Sequence, residues 1–136
     1  MKKEEAVDLI RDAGFGYLAT VDGNQPRVRP MMPYLLEDEK RLLVAFLGRS
    51  RSIADIKRNP RVEFCFVDRK MWYCRVAGQA KISTDIEKKT ILWDNIPMLK
   101  QYFGSPDDPN FILAEVTIDW AEAMTPHQKT PDIIHF

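Results

Sequence analysis

The stretch Phe15–Leu47, FGYLATVDGNQPRVRPMMPYLLEDEKRLLVAFL, decides the fold. Phe15–Val21 is apolar and rich in aromatic and β-branched residues, which fit a pleated, half-buried surface, and Asp22-Gly23 ends it as a turn. Arg27–Leu36 reads as a second strand with Pro30 and Pro33 inside it. A proline donates nothing to a ladder, so part of this strand must lie at an edge, a bulge or a ligand. The charged tetrad Glu37–Lys40, with Arg41 at its end, turns the chain into a third strand, Leu42–Leu47. Strands joined this tightly are antiparallel neighbours, and the βαβ alternation of a parallel sheet is absent.

The flanking segments follow the same logic. Ahead of the strands, Lys3–Ala13 places Ala6, Val7, Ile10 and Ala13 at helical spacing with Leu9 beside them, and Gly14 stops it. Behind them, Ser50–Asn59 is a short helix with Ile53 and Ile56 on its apolar side. Ser50 or Ser52 can cap its start, and Pro60 ends it. Val62–Val67 and Trp72–Ile82 are a fourth and a fifth strand. Asp85 to about Phe103 is helical, with a break near Asn95-Ile96-Pro97, and Phe111–Ile118 is the last strong strand. Residues 125–136 form a proline-interrupted tail. Six antiparallel strands with flanking helices can close into a small barrel, a mainly β fold in which residues 1–136 make one domain.

The register of the fourth and fifth strands can be argued from side chains. Pairing Phe64 with Cys74 also pairs Phe66 with Trp72 and Val62 with Val76 on one face, and sets Glu63 opposite Arg75 on the other. A one-residue slip would invert every side chain and mix Phe64 with Arg75. In the favoured register Cys65 and Cys74 point to opposite faces, form no disulfide, and Cys65 faces Tyr73. With no helix start nearby to acidify it, Cys65 reads as an inert thiol.

Twenty Lys and Arg balance twenty Asp and Glu in 136 residues, which argues against a polybasic nucleic-acid binder. No apolar run is long enough to span a membrane, and the charged start shows no secretory signal. Two cysteines fit a reduced, cytoplasmic protein better than a disulfide-stapled one. A chain this short has little interior to give to a large cofactor, so a subunit interface is the expected place for one.

Charge is uneven along the chain. Nine Lys and Arg against four Asp and Glu lie between Pro26 and Arg61, and three against seven between Ser83 and Asp119. Arg27 and Arg29 alternate on one strand and leave the same face. Arg49 and Arg51 flank the start of the second helix, where Ser50 and Ser52 offer hydroxyls and the first backbone N–H groups are unpaired. Two readings fit. One is a phosphate site made of amide donors, helix dipole and guanidinium forks; the other is a solvated basic surface with a capping serine.

Four segments bear on that choice. GYLATVDGNQPRVRPM (Gly16–Met31), SRSIADIKRNPRV (Ser50–Val62), RVAGQA (Arg75–Ala80) and PMLKQYFGSPDDPNFILAEV (Pro97–Val116) occur in this order. Together they resemble the pyridoxamine 5′-phosphate oxidase-like family of FMN-binding split barrels, its small general-stress and nitroimidazole-resistance members in particular. The resemblance implies a homodimer with FMN at the subunit interface and a small-molecule substrate. It implies that Arg29, and with it Arg27, reaches the phosphate region, and that Ser50 and Arg51 match phosphate-contacting positions. Pro30, Met31 and Phe46 match positions beside the ring or ribityl chain. The chain departs from the family pattern at Ser52, which stands where the family has Lys, and at Phe46 and Leu47, where it has Thr-Asn. The ring-contacting Gln of the fifth strand falls at Tyr73. The vitamer-binding C-terminal segment of the full oxidase is not recognisable.

The expectation is an FMN-dependent oxidoreductase. The alternatives are a non-catalytic barrel that binds FMN, deazaflavin or haem for storage or sensing, and an interaction domain with a vestigial pocket. His127 and His135 lie eight apart in the tail without further ligands at metal spacing, so the tail is expected to dock on a partner subunit. Trp72, Trp93 and Trp120 are expected in the core or an interface.

Overall fold

The computed structural model describes residues 1–136. Its elements are α1 (Lys3–Ala13), β1 (Gly16–Asp22), β2 (Gln25–Met31), β3 (Tyr34–Leu35), β4 (Arg41–Leu47) and α2 (Arg51–Arg58). There follow β5 (Arg61–Val67), β6 (Tyr73–Ser83), α3 (Ile86–Asn95), a 3₁₀ turn (Pro97–Gln101), β7 (Phe111–Met124) and β8 (Asp132–Ile134). The strands form one antiparallel sheet in the order β2-β1-β5-β6-β7-β4-β3, with β8 paired to β7.

The first hairpin forms as its sequence dictates. Asp22 faces Gln25 across a two-residue turn, and of Gly23 and Asn24 only Gly23 takes a positive φ (62°), as a II′ turn needs. The prolines then set the sheet's open edge. β2 pairs with β1 alone, so Pro26 and Pro30 lie on an edge strand, where a missing donor is tolerated. The expected second strand is in fact two, because the chain breaks pairing at Met32-Pro33 and crosses to β4 as the short β3.

Two apolar clusters hold the sheet. The inner one gathers Leu18, Val44, Phe46, Phe64, Phe66, Val76 and Val116 with Ala6, Val7, Leu9 and Ile10 of α1 and Ile56 of α2. The outer one packs Leu92, Ile96, Leu99 and Phe103 against Leu43, Phe111 and Leu113, with Phe103 stacked on Phe111 at 4.8 Å. β4 serves both: Leu42, Val44 and Phe46 point inward, and Leu43 points outward under α3. Each fully buried Leu or Phe contributes about 1.5–3 kcal/mol of transfer free energy.

Three expectations are corrected. The β5–β6 register is two residues away from the one argued above: Phe64 faces Val76, Phe66 faces Cys74, Val62 faces Gly78 and Cys65 faces Arg75. The loop is the reason. The Asp68 carboxylate accepts from the backbone N–H of Lys70 and Trp72, the Asp68 N–H donates to the Trp72 carbonyl, and Met71 takes φ 65°, so residues 68–72 close the hairpin and Trp72 stays outside the strand. A two-residue shift keeps every side chain on its face, so the core and the opposed thiols are unchanged, but Arg75 pairs with Glu122 of β7 instead of Glu63. Second, β7 runs on to Met124, with a bulge opposite Ala77-Gly78, and the tail pairs with it as β8. Ile134 is buried, so the tail packs on its own barrel. Third, Arg41 is no turn residue. It begins β4 and bonds both Asp38 and Glu115.

Candidate functional site

The sheet is split where β2 and β4 come near one another without pairing. A cavity of about 360 Å³ occupies the split, walled by Pro30, Met31 and Met32 on one side and by Ala45, Phe46 and Leu47 on the other. Its floor is polar: Arg29, and Ser50 and Ser52 at the start of α2. The 3₁₀ segment and the residues after it supply Met98, Leu99, Tyr102 and Phe103. No carboxylate, histidine or cysteine lines it.

The upper wall includes an open strand edge. Successive residues of a strand direct their backbone polar groups to alternate sides. The Arg41 carbonyl accepts from Leu36 of the β3 side, and the Lys40 carbonyl from Ile118 of β7. By that alternation Ala45 and Leu47 also point away from β7, where β3 no longer reaches them. The Leu47 carbonyl accepts from the Ser50 N–H. The Ala45 N–H and C=O and the Leu47 N–H therefore remain as an unpaired donor–acceptor set on the cavity wall.

The floor is built by α2. Ser50 is its N-cap, and the Ser50 hydroxyl accepts from the Ser52 N–H at 3.2 Å. Behind the floor lies the buried carboxylate of Asp55. Thr20 donates its hydroxyl to Asp55 Oδ2 at 3.0 Å. Arg29 Nη2 stands 3.5 Å away, Arg27 Nε 3.7 Å and Arg58 Nη2 3.4 Å. Arg27 and Arg58 also hold Asp22, whose carboxyl lies below its usual pKa, chiefly through the Arg27 hydrogen bond. Asp22, Arg27, Asp55 and Arg58 thus close a ring of alternating charge between the first hairpin and α2. Arg29 is the fifth member. Its Nη1 donates to the Leu18 carbonyl at 3.2 Å, and burial pulls its pKa below the usual value against the pull of Asp55. It stays charged all the same.

Six of the eight residues singled out from the sequence line this one cavity: Arg29, Pro30, Met31, Phe46, Ser50 and Ser52. Arg27 stands in the charge ring behind it, with its buried Nε lacking a hydrogen-bond acceptor. Arg51, on the first turn of α2, is exposed and outside the lining.

A sequence profile of the pyridoxamine 5′-phosphate oxidase family matches residues 3–125. The chain belongs to this family. It is 30% identical to the general stress protein 26 of Bacillus anthracis, covering 98% of each chain at a TM-score of 0.83. A NimC/NimA family protein of Clostridium acetobutylicum shares the fold at 21% identity, with 98% of this chain and 91% of that one covered and a TM-score of 0.81. So does a pyridoxamine 5′-phosphate oxidase-related, FMN-binding protein of Nostoc punctiforme, at 20% identity, 96% and 85% coverage and a TM-score of 0.74. No curated protein matches the chain.

For a member of the pyridoxamine 5′-phosphate oxidase family, two features here lay outside the reading of single motifs. Asp55 gives no signal of its own, because an Asp on an amphipathic helix reads as a solvated residue until Thr20 and three arginines are found around it. The wall from Met98 to Phe103 lies in a quoted segment, but its apolar residues read equally as core. In the structure all four line the cavity, Leu99 and Phe103 from the outer cluster and Met98 and Tyr102 as exposed side chains.

Proposed function

We propose that this protein binds FMN in the split of its barrel and works as an oxidoreductase on a small, neutral molecule. The observation that carries this reading is the cavity itself. In a chain of this family it joins a floor of one guanidinium and two serine hydroxyls to two apolar walls. The residues fit the cofactor. Arg29, the Ser50 and Ser52 hydroxyls and the dipole of α2 suit a phosphate monoester. Pro30, Met31 and Phe46 suit the flat apolar part, and the free backbone groups of Ala45 and Leu47 suit the donor and acceptor edge of a ring imide. The Nostoc relative is an FMN-binding protein, which points the same way.

Bound flavin would supply the hydride chemistry. The chain's own part is to hold the phosphate, keep water from the ring face with its methionines and aromatics, and orient the ring through the β4 edge. With Arg29 and Tyr102 as the only ionisable lining groups, the cavity offers nothing to pair a charged substrate once Arg29 is engaged by phosphate.

The second subunit belongs to this reading. The outer face of the sheet carries Val28, Ala19, Glu63, Ala77 and Trp120 in one cross-strand row. The next row holds Tyr17, Cys65, Arg75 and Glu122. Val28 is 69% exposed, Tyr17 40% and Trp120 39%. A largely apolar face, on which Arg75 pairs with Glu122 and Glu63 makes no ion pair within the chain, is what a two-fold interface between identical chains uses. It would close the split from outside.

The test is direct. Purified protein incubated with FMN and desalted should be yellow, run as a dimer on sedimentation, and be bleached by NAD(P)H. Yellow protein that no reductant or substrate turns over indicates a binding protein rather than an enzyme. Colourless protein ends the flavin reading.

A further inference from the structure

We propose that Asp55 is the positioning residue of the anion site: it holds Arg29 at the cavity floor and neutralises Arg27, so that one guanidinium, and not a diffuse basic patch, meets the ligand's phosphate. This rests on the flavin reading above and adds a residue to it that does not itself touch the ligand.

The Asp55 side chain is only 2% exposed, and an isolated carboxylate there would be costly. It is retained with one short hydrogen bond, from Thr20, and three guanidinium groups at 3.4–3.7 Å. That is poor geometry for a carboxylate whose whole task is to lock a helix to a hairpin; direct bonds near 2.9 Å would serve that task better.

Charge bookkeeping gives the second step. The cluster holds Arg27, Arg29 and Arg58 against Asp22 and Asp55, which leaves one positive charge. Arg27 and Arg58 each face both aspartates. Arg29 faces Asp55 alone and is the only one of the three that lines the cavity. The surplus charge therefore sits where a ligand can reach it.

The third step is conformational. A free arginine side chain has many rotamers to give up when it is ordered. Arg29 is tethered at both terminal nitrogens, by the Leu18 carbonyl and by Asp55, and this leaves further N–H donors in a fixed plane. A phosphate then binds without having to order the side chain. With Asp55 removed, three guanidinium groups would repel one another and Arg29 would lose its anchor.

The sign of the effect discriminates. If Asp55 were only a nearby negative charge, its loss would tighten binding of a dianion. If it were only structural, its loss would weaken flavins with and without phosphate alike. Positioning predicts that FMN is weakened and riboflavin, which shares the ring and ribityl chain, is spared.

The experiment is a fluorescence titration of the full-length protein with FMN and with riboflavin, for the wild type, Asp55→Asn and Thr20→Val. We expect Asp55→Asn to weaken FMN about tenfold or more with riboflavin changed by less than about twofold, and Thr20→Val to act in the same direction by about threefold. Unchanged or tighter FMN binding by Asp55→Asn overturns the proposal, and so does equal weakening of both flavins. If Asp55→Asn does not fold, Thr20→Val decides, since it keeps size and charge: an unaltered FMN-to-riboflavin ratio overturns the role. Wild-type protein that takes up neither flavin overturns the flavin reading itself, and is recognised before any variant is made.

Discussion

Two buried carboxylates, Asp55 and Glu115, lie on different elements of this barrel and are surrounded by cations in different ways. Glu115, on β7 beneath α3, accepts from Lys88 Nζ at 2.8 and 2.9 Å and from Arg41 Nη1 at 3.0 Å. Its neighbours are matched to it, and it is not among the residues that line the cavity. Asp55 has one short bond and a loose collar of three arginines, one of which opens onto a cavity. A buried acid among bases is therefore not in itself a functional sign. The sign is the surplus: donors that the protein's own acceptors leave unused, next to space. Glu115 acts as a bolt between α3 and the sheet. Asp55 acts on what the cavity can hold.

The contrast predicts different losses. Glu115→Ala should cost the most stability, about 2–4 kcal/mol, because it strands two partly buried cations; thermal unfolding measures it. Its FMN affinity, measured on folded protein, should stay within about twofold of wild type. A large loss of FMN binding there would erase the distinction between the two acids.

Arg29→Ala should weaken FMN by about ten- to a hundredfold, the worth of a hydrogen bond to a charged group, with little change for riboflavin. Arg27→Ala should cost less than about threefold, since Asp22 and Asp55 already occupy that side chain. Equal losses at the two arginines would mean that the charge ring opens on binding.

Ser50→Ala removes a helix cap and a floor hydroxyl together. It should cost about 1 kcal/mol of stability and a few-fold in FMN affinity. The ratio of the two effects, from unfolding and titration of one sample, separates cap from ligand contact.

The smallest effect is in pH. Burial raises the Glu115 pKa, but its bonds to Lys88 and Arg41 outweigh this and leave it below the ordinary 4.5. A carboxyl with a depressed native pKa contributes stability above its unfolded pKa and loses it as pH falls through the native value. The stability difference between wild type and Glu115→Gln should therefore be constant above about pH 5 and shrink below about 4.5. A difference that persists into stronger acid would show that packing, not charge, sets the Glu115 contribution.

Much of this protein follows from rules that act over a few residues. Alternation placed Leu18, Phe64, Phe66 and Val76 inward whatever the register, because a two-residue shift returns each side chain to its face. Proline chemistry limited β2 to an edge, a bulge or a ligand, and the serines before an amphipathic run offered Ser50 or Ser52 as N-cap; the structure takes the edge and Ser50. The tertiary structure alone decided which strand ends meet. Asp68 and Met71 set the loop that fixed the β5–β6 pairing, β8 returned to its own barrel, and Asp55 met Arg27 and Arg29 across the gap between α2 and the first hairpin. Asp55 stands 28 residues from Arg27 and 26 from Arg29, where spacing along the chain carries no distance in space. Whether an arginine serves a ligand or a neighbouring aspartate depends on that distance.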